Sequence, residues 1–130
     1  MADGGDDIFV YLGGEQVVPF EITHAIIDPS VNIVRGLAFS NCRQLVSVIF
    51  HNGVEIIKES AFYGCEYLPS IKLIGVREIG PRAFQYCLSL SDVEFGDRLE
   101  TVGYHAFDSC YPLRSIKIPS VRNIHSAGGI

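Results

Sequence analysis

The stretch IGPRAFQYCLSL, residues 79–90, contains a five-residue phrase, A-F-x-x-C, that occurs four times in this chain of 130 residues. The four copies are AFSNC, AFYGC, AFQYC and AFDSC, and they hold every cysteine of the chain: Cys42, Cys65, Cys87 and Cys110. The cysteines follow one another at intervals of 23, 22 and 23 residues. A fixed period of this length is typical of proteins built by stacking one small structural unit.

Each unit also carries a strand-like phrase with apolar residues at its first, fourth and sixth positions. These phrases are ITHAII (22–27), LVSVIF (45–50), LPSIKL (68–73), LSDVEF (90–95) and LRSIKI (113–118). The fourth and sixth positions of a strand point to one face, and Ala-Phe and Cys share one face of a helical turn. One unit cannot bury both faces alone, so we expect the units to stack, with parallel strands and a right-handed coil.

The phrase I-G-x-x-A-F-x-x-C-x-x-L resembles the BspA-type leucine-rich repeats over about residues 22–127. The usual leucine-rich repeat has Asn or Cys shortly after the strand, and this chain does not. The resemblance implies an α/β repeat fold, namely a strand-rich, right-handed leucine-rich-repeat solenoid with one parallel sheet and short helical turns. It also implies a surface that binds proteins, since the family shares no chemistry.

The repeat frame divides the chain into a cap and a series of units. We expect residues 1–21 to form an N-terminal cap in which IFVY and QVVPF make a hairpin around the turn LGGE. The units that follow are 22–44, 45–67, 68–89, 90–112 and an incomplete 113–130. Because no polar C-terminal cap is visible, residues 121–130 are a candidate for self-association with a second copy or with further repeats.

Composition limits the classes of function. The chain is 48% apolar and 19% charged with a net charge of −5, so it should fold, and its few scattered Lys and Arg residues disfavour nucleic acid. It has no phosphate-binding or dinucleotide fingerprint, which predicts no cofactor. It shows neither a secretory signal nor an apolar run of the ~18 residues that a membrane span requires. A cytoplasmic location without membrane contact is therefore the expectation.

The four cysteines allow a metal site, disulfides or buried thiols. Equivalent positions in a stack lie in a line, so four thiolates would not converge on one ion. Their side chains point the same way, which disfavours the approach of the two Cβ atoms that a disulfide needs. We therefore expect a row of buried free thiols that act as small apolar residues.

A Ser–His pair is the one candidate for catalysis. His24 shares the third strand position with Ser47, Ser70, Asp92 and Ser115. A hydrolase would need His24 within hydrogen-bond reach of Ser47 beside a pocket. The row is expected to be exposed and no oxyanion loop is evident, so we predict that the chain is not an enzyme.

Two sets of residues are candidates for binding an unidentified protein partner. The fifth strand position faces outward and changes from apolar to charged along the stack; it holds Ile26, Ile49, Lys72, Glu94 and Lys117. Five tyrosines lie around the A-F-x-x-C phrases and form either an aromatic ridge or filler between units; they are Tyr63, Tyr67, Tyr86, Tyr104 and Tyr111. We predict a protein–protein interaction module, with a structural or self-assembling module as the alternative.

Overall fold

The computed structural model describes residues 7–113, residue 116 and the backbone of residues 123–124. Within these residues the regular structure consists of short strands. They are β1 (Phe9–Tyr11), β2 (His24–Ile27), β3 (Ile33–Val34), β4 (Ser47–Ile49), β5 (Ile56–Ile57), β6 (Ser70–Leu73), β7 (Glu78–Ile79), β8 (Asp92–Phe95), β9 (Thr101–Val102) and β10 (Asn123–Ile124). The described part of the chain has no helix that is long and apolar enough to cross a membrane.

The strand-like phrases line one side of the solenoid as two parallel sheets, β1-β2-β4 and β6-β8, which we together call the main sheet. Strand β2 pairs in parallel with β1 and β4, and β6 pairs in parallel with β8. The register places equivalent residues of successive units side by side, as with Ala25 and Val48. Residues at the fourth and sixth positions point inward, and those of β6, Ile71 and Leu73, are buried. The predicted parallel stacking is confirmed.

The sequence predicts one parallel sheet, but a further five-stranded parallel sheet, which we call the second sheet, runs along the stack. Its strand order is β10-β9-β7-β5-β3, and each strand has two residues. The Lys58 N–H donates to Val34 O at 3.0 Å, and the Gly80 N–H donates to Ile57 O at 2.7 Å. The last residue of each of β3, β5 and β7 therefore accepts a hydrogen bond from the following unit, at the same place in each coil.

The A-F-x-x-C phrases are successive turns, so the expectation of short helical turns was wrong. The Phe62 N–H donates to Ala83 O and the Gly64 N–H to Gln85 O, both at 2.8 Å, whereas a helix would direct these groups to its own carbonyls. The residues before Ala and before Cys have positive φ in every unit. Their values are 57–64° at Leu37, Asn41, Ser60, Arg82, Tyr86, His105 and Ser109, and 74° at Gly64. This alternation of handedness turns the N–H groups toward the next unit.

Stacked aromatic rings form the centre of the core. Ring centroids lie 4.8 Å apart for Phe39 and Phe62, 5.1 Å for Phe62 and Phe84, and 5.2 Å for Phe84 and Phe107. These rings are nearly parallel, with interplanar angles of 1–5°. Tyr11 ends this phenylalanine column at the N-terminal side, 5.2 Å from Phe39. The buried Ala and Cys of each unit pack in the same core.

The N-terminal hairpin predicted between IFVY and QVVPF is also wrong. Strand β1 pairs in parallel with β2, with Phe9 beside Ala25 and Tyr11 beside Ile27, and residues 12–23 contain no strand. Phe9 and Tyr11 match the fourth and sixth positions of the strand frame, and Tyr11 becomes fully buried. Burial of this aromatic side chain outweighs the local turn signal.

The remaining statements about the cap and the units stay predictions. Ser115, Lys117 and most of the phrase 113–118 lie outside the described residues. The same holds for residues 121–130, apart from the backbone of β10, which pairs with β9.

Candidate interaction surface

The four cysteine thiols are free and buried in the stack. Three of them donate to a phenylalanine carbonyl of the preceding unit. The pairs are Cys65 Sγ to Phe39 O at 3.3 Å, Cys87 Sγ to Phe62 O at 3.2 Å and Cys110 Sγ to Phe84 O at 3.1 Å. Burial raises the pKa of the Cys42 thiol to about 11 and also raises the pKa of Cys65. The Cys42 and Cys65 thiols are therefore protonated at neutral pH. No cluster of metal-ligating side chains occurs among the described residues.

The Ser–His pair meets one of its two geometric conditions. His24 Nδ1 lies 2.8 Å from Ser47 Oγ, across two adjacent strands. The other condition is not met, because neither residue lines a concavity. The three concavities compared are bordered by Ile56 and Tyr104, by Asp7 and Gln44, and by Leu12 and Ile56. In the described part of the chain, the His24 ring has no acidic hydrogen-bond partner that would orient it. The contact therefore serves as a cross-strand hydrogen bond in the outward row.

An apolar row crosses the outward face of the main sheet. Val10, Ile26 and Ile49 are neighbours in register on β1, β2 and β4. The side chains of Ile49 and Val10 are 58% and 43% exposed, and Ile26 is half-buried. We call these three residues the apolar row. The sequence predicts Ile26 and Ile49 at this position but not Val10, because the predicted hairpin includes residues 8–11. The pattern F-V-Y, which fits the strand frame, was the signal for Val10.

The same face becomes charged farther along the stack. Lys72 and Glu94 are neighbours in register on β6 and β8, and both are exposed. Lys72 and Glu94 form no ion pair in the described part of the chain, where the ion pairs between units lie elsewhere. Two of them join Arg77 to Glu55 and to Glu100, each at 3.3 Å. The outward face thus has an apolar half and a charged half.

The five candidate tyrosines are exposed or half-buried, and the structure brings two of them into contact. Tyr63 and Tyr86 meet edge-on, with ring centroids 5.5 Å apart. Tyr67 and Tyr111 are well exposed, but they follow their cysteines by two residues and one residue respectively. The tyrosines therefore occupy different places within their units, which does not favour one continuous ridge.

Tyr104 instead borders a groove that the sequence did not predict. This groove has a volume of about 550 Å³ and lies between the second sheet and the turns. Its lining includes Ile56, Glu78, Thr101 and Pro81. The signal in the sequence was the first residue of each two-residue strand, as in Ile56, Glu78 and Thr101, together with the glycine that follows the strand in two units, Gly80 and Gly103.

Comparison with known proteins identifies the repeat. The family model of the BspA type leucine rich repeat region matches residues 19–127 in six copies. A leucine-rich repeat protein from Bacteroides ovatus, solved by crystallography, is 34% identical with a TM-score of 0.66; the match covers 72% of this chain and 24% of that one.

Two further solved structures are more distant. A leucine rich cell surface protein from Faecalibacterium prausnitzii is 20% identical with a TM-score of 0.49, over 78% of this chain and 39% of that one. A leucine-rich repeat protein from Eubacterium ventriosum is 19% identical with a TM-score of 0.45, over 84% and 43%. This chain thus spans less than half of each solved chain. No curated protein matches it. From the repeat, the register and the family match, the chain belongs to the BspA-type leucine-rich repeat family.

Proposed function

We propose that the chain is a non-catalytic interaction module that binds a protein partner through the outward face of its main sheet. The apolar row carries this proposal, because Val10, Ile26 and Ile49 present adjacent aliphatic side chains on a sheet face. Contiguous exposed apolar surface with a polar border is typical of protein–protein interaction sites. Burying such side chains against a partner would supply the main favourable free energy of association.

The charged half of the face supplies a means of selecting the partner. Lys72, Asp92 and Glu94 are all exposed on strands β6 and β8 of the main sheet. Rim charges affect association rate and specificity more than affinity. We expect the partner to place apolar side chains over Ile49 and opposite charges over Lys72 and Glu94.

The groove beside Tyr104 is a second candidate site. Its volume of about 550 Å³ falls within the roughly 300–1,000 Å³ that small-molecule sites occupy. Its lining holds two carboxylates, Glu59 and Glu78, and one cation, Lys58. The lining is therefore negatively charged, which favours a ligand with a positive charge.

A partner captured by photo-crosslinking tests the sheet-face proposal. A benzophenone amino acid is placed at position 49, and the captured protein is then purified and titrated against unmodified chains by calorimetry. We expect Ile49→Thr together with Val10→Thr to weaken binding at least tenfold. A matched control, Tyr63→Ser with Tyr86→Ser, alters a different surface and should leave the affinity within twofold. Equal affinities for the sheet-face variant and the unmodified chain would refute the proposal.

The same titration decides the tyrosine hypothesis. If Tyr63, Tyr86 and Tyr104 form the interface, their replacement by Ser will abolish binding while the sheet-face variant binds normally.

The cytoplasmic location stays a prediction, in keeping with the four free thiols.

A further inference from the structure

A side chain closes the outer edge of strand β1. The Gln16 carboxamide donates from Nε2 to Val10 O at 3.2 Å and accepts the Leu12 N–H at Oε1 at 2.8 Å. The inner edge of the same strand faces β2, where Tyr11 O accepts the Asp28 N–H at 3.0 Å. One amide group of a side chain thus satisfies two backbone groups that point away from the sheet.

These two hydrogen bonds match those of a parallel strand. In a parallel pair, one residue donates its N–H to the carbonyl of residue i−1 and accepts the N–H of residue i+1 on the neighbouring strand. Val10 and Leu12 are the residues on either side of Tyr11, so the Gln16 amide stands where one peptide residue of a further parallel strand would bond. A pairing in the antiparallel sense would instead use the N–H and C=O of a single residue.

The loop that carries Gln16 is held by contacts that do not involve its side chain. Arg35 donates from Nε to Gly14 O at 3.0 Å and from Nη2 to Gln16 O at 2.7 Å. Gly13 and Gly14 have φ values of 78° and 59°, which suit the tight turn. Shortening the Gln16 side chain should therefore free the edge of β1 and leave the loop in place.

We propose that the outer edge of β1 docks an extended segment of a partner protein, which runs parallel to β1 and displaces the Gln16 carboxamide. Exposed strand edges are templates for pairing, and strand addition is a recurrent mode of peptide recognition. Phe9 remains partly exposed at this end of the stack, so the added strand carries apolar residues at alternate positions, as this chain's own strands do. This site goes beyond the sheet-face proposal because it uses backbone groups of β1.

A peptide copying residues 68–73, LPSIKL, acetylated and amidated, is the probe. Its binding to the full chain is followed by NMR through the amide signals of Val10 and Leu12. We expect Gln16→Ala to bind the peptide on the order of tenfold more tightly than the unmodified chain, because two intramolecular hydrogen bonds no longer compete. Gln16→Glu should lie between them, since a carboxylate still accepts from Leu12 but cannot donate to Val10.

Two controls separate this site from the sheet face and from loss of folding. Ile49→Thr in the Gln16→Ala background alters the face alone and should leave peptide affinity unchanged. Leu12→Pro in that background removes the outward N–H and should abolish binding, with far-UV circular dichroism confirming the fold. Equal affinity of Gln16→Ala and the unmodified chain overturns the proposal. A Gln16→Ala chain that dimerises and ignores the peptide also overturns it, and assigns the edge to a second copy.

Discussion

The turn side of the solenoid and the outward face of its main sheet have the same period, but only the turn side has the same residue types in every unit. Every turn contributes the same buried Ala, Phe and Cys, as in Ala61, Phe62 and Cys65. The fifth strand position instead changes from Ile26 and Ile49 to Lys72 and Glu94. Stacking fixes where each residue lies on both sides, but close packing restricts the residue type only where the side chain is buried.

The largest effect is expected from breaking the phenylalanine column. Phe62 is fully buried between Phe39 and Phe84, at centroid distances of 4.8 and 5.1 Å. Phe62→Ala should lower the free energy of unfolding by about 3–5 kcal/mol, through lost burial and a cavity. Urea denaturation measures this, with Phe62→Leu as the milder control. A loss below about 1 kcal/mol would show that the column does not hold the stack together.

A close approach between coils predicts the next largest effect. A Cβ added at Gly75 would lie 1.9 Å from the Asn52 carbonyl oxygen, so the neighbouring coil must move. Gly75→Ala should destabilise the chain by about 1–3 kcal/mol. Gly36→Ala is the matched control, because its Cβ would lie 3.2 Å from Glu59 O. Thermal melts of both variants check this, and equal melting temperatures would contradict it.

The buried thiols predict a dependence on alkaline pH. Burial raises the pKa of Cys42 from 9.0 to about 11, so the folded state holds this proton more tightly than the unfolded chain does. The stabilisation is complete below pH 9 and is lost as pH rises toward 11. Urea denaturation at pH 8 and pH 10 should show the difference in stability between the unmodified chain and Cys42→Ala shrinking. A constant difference would place the Cys42 thiol in contact with water.

The smallest effect is expected at the ion pairs on the second sheet's border. Arg77 bonds to Glu55 and Glu100 at 3.3 Å, but all three side chains are substantially exposed. Arg77→Met keeps most of the apolar stem and should cost no more than about 1 kcal/mol. High salt should reduce even this difference. A large, salt-independent loss in chemical denaturation would mean that Arg77 packs in the core.

The repeat made the inward positions predictable and left the conformation between them open. Ile71 and Leu73 were identified from strand alternation, because their burial follows from period and polarity alone. The spacing of Phe62 and Cys65 did not distinguish a helical turn from a tight turn, since both bring residues three apart to one side. Arg82 and Tyr86 have positive φ values, which residues with side chains rarely adopt. Their residue types therefore gave no signal in the sequence that the backbone would be left-handed there.

The candidate surface was predictable to a similar extent. Ile26 and Ile49 followed from the outward strand position, but Val10 required knowing that β1 pairs with β2. The Gln16 contact depends on a loop whose path is set by Arg35, and the groove depends on the distance between the second sheet and the turns. Tertiary distances of this kind are not encoded in local periodicity.

The most direct test of the account is the stability of the double variant Val10→Thr with Ile49→Thr, measured by urea denaturation. Threonine keeps the β-branched shape that strands favour while making the row polar. If the apolar row is a surface for a partner and not part of the core, the free energy of unfolding should stay within about 1 kcal/mol of the unmodified chain. A loss of about 3 kcal/mol or more, comparable to Phe62→Ala, would show that the row holds the fold together and would contradict the account.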